Sequence, residues 1–491
     1  MKRFFFAPIF VMLSLSSEIG LGKSPNIIFF ISDDVSWNDY GCYGNAGART
    51  PHIDRLAANG MQFTNAYLTA SSCSPSRASI VTGRYPHNNG KAAELHLAIA
   101  DHLPWLPEVL SEKGYYTALS GKNHMKRENP RDTPPFDDIS LGKVEGNRGG
   151  HANWLRVTQE RPIDQPFFFW FASNDAHRAW EADTEWDNAI YGPKIDPAAV
   201  VVPPFLVDSD KTRGDLASYY NEVTRFDHFI GAVVGELEAQ GVLDDTLIFV
   251  LSDNGRPFPR AKTRMHDSGM KTALVAHWPN GISDGGKSDR LVSVIDLAPT
   301  AIEVAGGKAG ATFQGVSLAP LFSNREKTVR NYAFSEHNWH DYEALGRSVR
   351  TETHLYIVND RPEKAWQGPA DSVRSDSHLE LQRALKEQAL DNAQNDVFLA
   401  PRPVVEFYDT KKDPHQLNNL AGDSKLSKTE AKLAAILKKW RQQTGDSIPE
   451  HISTDEFHRE TGVRVVQNGA FRGETPGESK GASSINRRGP R

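Results

Sequence analysis

Two short, uninterrupted apolar runs, each ending beside adjacent oxygen-bearing side chains, constrain this chain more than any other feature. Asn26 to Ser32 (NIIFFIS) leads into Asp33-Asp34, and Thr246 to Leu251 (TLIFVL) leads through Ser252 into Asp253-Asn254. Apolar runs this short have the length of strands buried on both faces of a parallel sheet. In an open α/β sheet, ligands bind beyond the carboxyl ends of the strands. Two adjacent carboxylates repel there unless a cation lies between them. Asp33-Asp34 alone could be a solvated turn; the second strand end of the same kind argues for a metal site. Asp33, Asp34, Asp253 and Asn254 form a hard, all-oxygen donor set suited to Ca²⁺ or Mg²⁺.

The rest of the chain alternates strand and helix, the pattern of an α/β fold with a mostly parallel sheet. Thr50-Pro51 opens a helix on which Ile53, Leu56 and Ala57 share a face. Ser76 to Thr82 is a candidate helix, and Tyr115 to Leu119 and Phe167 to Ala172 read as strands. The longest helix is expected over Asp215 to Gln240, with Leu216, Val223, Phe226, Ile230, Val233 and Leu237 on one face and Gly241 ending it. Leu291 to Val304 reads as a further apolar helix. Residues 23–330 form one large domain on this reading. Residues 331–450 form a smaller α+β domain, with strands at His354 to Val358 and Val404 to Tyr408 and a helix near Lys428 to Thr444. The polar tail, residues 451–491, is rich in Gly, Ser, Pro and charge and is expected to be disordered from about residue 472.

Residues 1–22 have the layout of a signal peptide: Lys2 and Arg3, an apolar stretch from Phe4 to Leu15, then Gly20-Leu21-Gly22. The protein is therefore expected to be secreted or periplasmic, or delivered to a lysosomal-type lumen in a eukaryote. No other segment is long and apolar enough to span a bilayer. The net charge of −6 gives no global field for a polyanion such as a nucleic acid. An anionic substrate must meet a local basic patch instead. The two cysteines, Cys42 and Cys73, could form a disulfide in an exported protein.

The surroundings of Cys73 suggest another use. Cys73-Ser74-Pro75-Ser76-Arg77 runs on into Ala78-Ser79-Ile80-Val81-Thr82-Gly83. This string resembles the maturation signature of the type I sulfatases, in which a separate maturation enzyme oxidises the cysteine to formylglycine. The resemblance implies an alkaline-phosphatase-like fold and hydrolysis of a sulfated carbohydrate. A hydrated aldehyde is a geminal diol: one hydroxyl attacks sulfur, and the other allows sulfate to leave by elimination. Arg77, one helical turn further on, would hold the diol or the metal-binding carboxylates. The resemblance also favours Ca²⁺ over Mg²⁺, held by Asp33, Asp34, Asp253, Asn254 and the modified Cys73.

Three further segments resemble the same family. Gly121-Lys122-Asn123-His124 matches its Gly-Lys-x-His element, which implies that Lys122 neutralises a sulfate oxygen and His124 sits near the diol. His177, in Asn174-Asp175-Ala176-His177-Arg178, matches the general acid for the leaving group. Lys262 stands where many sulfatases place a second sulfate-binding lysine. Ser252-Asp253-Asn254-Gly255 with Pro257-Phe258-Pro259 is similar to the heparan N-sulfatase (sulfamidase) subgroup, which implies sugar contacts from Asp175 and Arg178. That subgroup has arginine in place of Lys262 and proline in place of Ala176, so O-sulfated glycans remain open as substrates. Ser335 to His340 (SEHNWH) matches loosely and adds His337 and His340 as candidate sugar contacts. The stretch from Trp366 to Pro403 carries no segment recognised from that family. Two other readings stay open: a phosphodiester or phosphonate hydrolase on the same scaffold, and a non-catalytic glycan-binding protein if Cys73 keeps its thiol.

Overall fold

Every residue of β1 (Asn26–Ser32) is buried, because the strand lies inside a sheet covered on both faces. The computed structural model describes residues 24–141, 144–467 and 469–491; the expected signal peptide lies outside them. Around β1 stand β2 (Met61–Tyr67), β3 (Tyr116–Gly121), β4 (Asp138–Leu141), β5 (Phe167–Ala172), β6 (Thr246–Ser252), β7 (Lys271–His277), β8 (Gly286–Ser288) and β9 (Val292–Ser293). Their order is β4-β3-β5-β1-β6-β7-β2-β8, with β9 also paired to β2. Among the described pairings only those of β7 are antiparallel. The sheet is thus mixed and mostly parallel, as expected.

Strand alternation divides the core into two layers. Ile27, Phe29 and Ile31 pack with Phe168, Trp170, Leu247 and Phe249 on one face. Ile28 and Phe30 pack with Phe169, Phe171, Ile248 and Val250 on the other. Helices α1 (Pro51–Ala58) and α3 (Asp210–Ala239) cover the second face through Ile53, Leu56, Leu216, Val223, Phe226 and Ile230. Helices α2 (Cys73–Thr82) and α4 (Leu297–Val304) cover the first through Ile80, Val81, Leu297 and Ile302. Burying one such side chain contributes about 1.5–3 kcal/mol. Helix α3 starts at Asp210 rather than Asp215 because Ser209 caps it, its hydroxyl accepting the Thr212 N–H. The helix expected over Leu291 to Val304 is shorter. Asp296 accepts the Ser293 N–H at 2.9 Å and is clamped by Arg330, which holds Val294–Asp296 as a tight 3₁₀ turn before α4.

A second sheet follows, with β10 (Ala333–His337), β11 (Gly346–Arg350), β12 (His354–Asn359) and β13 (Val405–Asp409) antiparallel in that order. Helix α5 (Ser427–Thr444) covers it, packing Leu433, Leu437 and Trp440 against Phe334, Val349 and Phe407. The tail corrects the expectation of disorder from about residue 472. Its backbone carbonyls satisfy buried donors: Arg84 donates to Ser483 and Ile485, and Asn88 to Ala482. Composition overlooks this because the tail contributes acceptors rather than apolar surface.

The parallel arrangement brings several strand ends to one edge. Ser32 of β1 pairs with Ser252 of β6, Ile31 with Ala172 of β5, and Gly121 of β3 with that same Ala172. The residues just beyond each strand therefore converge on one rim.

Candidate active site

Asp33 and Asp34 leave β1 buried. Asp34 adopts a left-handed backbone, φ 62°, a strained choice for a non-glycine residue and one often kept at functional sites. Two interactions hold that turn. The Asp34 N–H donates to Asp253 Oδ1 at 3.1 Å, and the Asp33 N–H donates to the Asp175 carbonyl at 2.8 Å. Gly121 φ is +95°, and a Cβ there would lie 2.0 Å from the Ala172 carbonyl oxygen. Only glycine lets β3 approach β5 that closely and turn Lys122 towards β1.

The charges interlock. Lys122 Nζ is bonded to Asp33 Oδ2. Lys262 Nζ lies 2.7 Å from Asp34 Oδ2, with both side chains buried. Arg77 donates from Nε to Asp253 Oδ2 at 2.8 Å and from Nη1 to the Lys122 carbonyl at 3.1 Å. Cys73, at the first turn of α2, places Sγ 3.7 Å from Asp34 Oδ1. Burial pushes its thiol well above the usual range, against Lys122 and Lys262. An unmodified thiol here is therefore a poor nucleophile. Cys42 and Cys73 are both free, so they form no disulfide.

The donor set fits a hard cation. Asp33, Asp34 and Cys73 offer ligand atoms within 4.8 Å of one another. Asp33 Oδ1 and Asn254 Oδ1 are buried without a hydrogen-bond partner among the described residues, a costly arrangement unless another group meets them. Burial holds the Asp253 carboxyl above its ordinary range although Arg77 lowers it, so the carboxylates can use more positive charge than the side chains supply.

Two histidines flank the cluster. His177 Nδ1 faces the Arg178 carbonyl, which can only accept, so Nδ1 carries a proton. Its Nε2 lies 3.9 Å from Asp34 Oδ2 and 3.8 Å from Asp371 Oδ2. His124 Nε2 lies 2.8 Å from Nδ1 of His96. Burial first, and then Lys122, push the His124 imidazole far down, so it is neutral. Both residues of this pair have positive φ, 67° at His96 and 53° at His124, and the His96 N–H is held by Ser74 Oγ at 2.8 Å.

The expected sugar contacts fare differently. Asp175 is paired within the protein: Arg225 donates to both its carboxylate oxygens at 2.7 Å in a buried pair. Arg178 grips Asp215 at 2.7 and 2.8 Å, donates to the Pro257 carbonyl, and lies against the rings of both Trp180 and Phe258. His340 is close to the cluster, its Nδ1 2.7 Å from the hydroxyl of Ser72, next to Cys73. His337 packs edge-on against Trp366, centroids 5.5 Å apart, and burial pushes its imidazole down to about 3.

The sequence reading missed Asp371 and His96. Asp371 lies in the unmatched stretch. Burial raises its carboxyl, but Lys262, then His177 and Arg178, more than offset that and leave it below its usual range. Nothing local in Gly368-Pro369-Ala370-Asp371 marks it; its role comes from where the second sheet sets the loop. His96 is one of three histidines, with His87 and His102, that follow the cysteine helix, so residue type alone does not single it out.

Comparisons with known proteins place the chain in a family. The sulfatase family model matches residues 25–144 and 151–307, more than half of the chain, and the model of the N-sulphoglucosamine sulphohydrolase C-terminal region matches 260–367. An ulvan-active sulfatase of Formosa agariphila is 29% identical over 489 residues, covering 89% of this chain and 78% of its own. Human N-sulphoglucosamine sulphohydrolase is 29% identical over 483 residues, covering 89% and 94%. Among solved structures, one determined with its substrate D-glucosamine-2-N,6-O-disulfate superposes with a TM-score of 0.64 at 20% identity, covering 86% of this chain and 98% of the other. The phosphonate monoester hydrolase of Agrobacterium radiobacter gives the same TM-score at 16% identity, covering 91% and 99%. These structural likenesses concern the fold.

Proposed function

The chain belongs to the sulfatase family, and from that premise we propose that it cleaves sulfate esters or sulfamates on a glycan fragment, using formylglycine at position 73 and a bound Ca²⁺. The observation that carries this reading is the interlocked cluster of Cys73, the lysines Lys122 and Lys262 and the carboxylates of Asp33, Asp34 and Asp253. The side chains that would hold the ion are Asp33, Asp34, Asp253 and Asn254, with residue 73 as a further ligand. When present, the ion and the hydrated aldehyde supply Lewis-acid polarisation of a sulfate oxygen and a hydroxyl nucleophile.

The chain's own residues do the rest. Lys122 and Lys262 bring two ammonium groups to the rim, where they bind the anionic oxygens and offset charge that builds on them. Arg77 spans Asp253 and the Lys122 carbonyl, and so fixes the carboxylate and lysine against each other. His177 stands half-exposed at the mouth with Nε2 as its free nitrogen. A proton on that nitrogen can pass to a departing sugar oxygen or nitrogen. His124, held neutral beside Lys122, adds no positive charge to the rim and can offer a ring nitrogen as a hydrogen-bond partner, and His96 fixes its ring. Asp371 faces His177 and would accept a hydrogen bond from a sugar hydroxyl. Export to the periplasm, a lysosomal-type lumen or the medium fits the N-terminal sequence; no helix among the described residues is long and apolar enough to cross a membrane.

Release of inorganic sulfate from a panel of N- and O-sulfated mono- and disaccharides tests the proposal, with 4-nitrophenyl sulfate and 4-nitrophenyl phosphate run beside it. Sulfate release at a rate well above phosphate release is expected. Faster turnover of the aryl phosphate would move the assignment to phosphate ester chemistry.

A further inference from the structure

Outside the catalytic cluster, two cavities meet at one aromatic pair. The larger, about 700 Å³, and the smaller, about 410 Å³, share Trp37, Tyr43, Gly44 and Pro414. Trp37 and Tyr43 stand edge to face, centroids 6.1 Å apart. Neither Cys73 nor any lysine or histidine of the catalytic cluster lines either cavity.

The charges of the larger cavity are unevenly matched. Its three carboxylates are already taken: Asp267 by Arg350 at 3.0 Å, and Asp289 and Glu352 by Arg290 at 2.8 and 3.3 Å. Its three lysines, Lys271, Lys287 and Lys411, make no ion pair among the described residues. Lys271 Nζ lies 3.9 Å from the centre of the Trp37 ring. Burial pushes this ammonium down to about 8, so an anion placed beside it relieves a desolvated charge. The wall thus joins aromatic surface, which suits the apolar face of a sugar ring, to ammonium groups that no carboxylate of the described residues pairs.

We propose that this groove is a second glycan site, which holds a sulfated stretch of polysaccharide other than the sugar being desulfated. It rests on the reading of the catalytic pocket only for the identity of the glycan. Holding a chain here would raise the local concentration of its other residues near the rim, so the effect falls on polymers and not on small esters.

The test uses the intact chain carrying Cys73→Ala, so that nothing turns over, and a heparin-derived octasaccharide titrated by calorimetry. Two classes of site are expected. Lys287→Glu/Lys411→Glu, both exposed, should weaken or remove one class by about tenfold, the worth of two exposed ion pairs. Trp37→Ala should do the same. In the protein that retains Cys73, the lysine pair change should leave 4-nitrophenyl sulfate turnover unaltered and raise KM on a long sulfated chain. Unchanged octasaccharide binding in the lysine variant overturns the proposal. So does polyglutamate of equal charge that binds as well and loses affinity in step with the octasaccharide, since that marks an unspecific basic patch. Absence of aryl sulfate turnover in the parent would count against the catalytic reading alone and leave the binding result to stand.

Discussion

Asp175→Ala separates a structural role from a substrate-binding one. The carboxylate is buried, and both its oxygens are bonded to Arg225 at 2.7 Å. Removing one partner of a buried pair costs about 3–5 kcal/mol, because the other charge is stranded. Arg225 is not wholly stranded, since Glu185 stays at 2.7 Å and Glu222 at 3.4 Å. Burial, and then the Asp175 charge, hold the Glu222 carboxyl well above its usual range, and removing Asp175 takes away the second of these. The expected loss is therefore at the low end, about 3 kcal/mol. An unfolding entropy of about 2 cal/mol/K per residue makes this about 3 °C in Tm for a chain of this length. Thermal melts and Michaelis parameters on a sulfated sugar read the outcome together. The melt should drop while KM stays within about twofold, as for a residue that does not touch substrate. An unchanged melt with KM raised tenfold would refute the reasoning and restore Asp175 as a sugar contact.

Other outcomes rest on the same geometry. Lys262→Ala should lower kcat by about 10²–10³, the usual loss for one donor aimed at a developing anion, whereas Lys262→Arg should stay within about tenfold; steady-state kinetics on 4-nitrophenyl sulfate decides. Calcium should stabilise the protein, by about 4 kcal/mol at a thousand times its Kd, and Asn254→Ala should abolish most of that gain; melts with Ca²⁺, Mg²⁺ and chelator measure it. Stability should fall in acid. Burial pushes His151 and His266 from 6.5 down to about 3 in the folded chain. Between those values the unfolded chain binds the protons, so stability is lost as pH drops below about 6.5, by about 1.4 kcal/mol per pH unit for each histidine. Chemical denaturation across pH 4–7 checks the slope.

Where local pattern and burial coincide, the fold is legible in the chain. NIIFFIS and FFFWFA are apolar at every position because both sheet faces are covered, and both became strands at the expected residues. Asp33-Asp34, Lys122 and His177 were readable for the same reason: each stands just past the end of such a strand, and a parallel sheet gathers its strand ends on one rim. Asp175 and Arg178 also stand past a strand end, but position alone does not reveal that Arg225 and Asp215 on α3 capture them. Asp371 was invisible because a loop of the other sheet carries it to the rim. The tail misled for a complementary reason, since its backbone oxygens rather than its side chains pack it.

Mass analysis of the Cys73 peptide, from protein co-expressed with a formylglycine-generating enzyme, bears most directly on the nucleophile. A species about 18 Da lighter than the thiol form is predicted, with sulfate release proportional to its fraction. Undiminished sulfate release from protein whose residue 73 is entirely thiol would contradict the account.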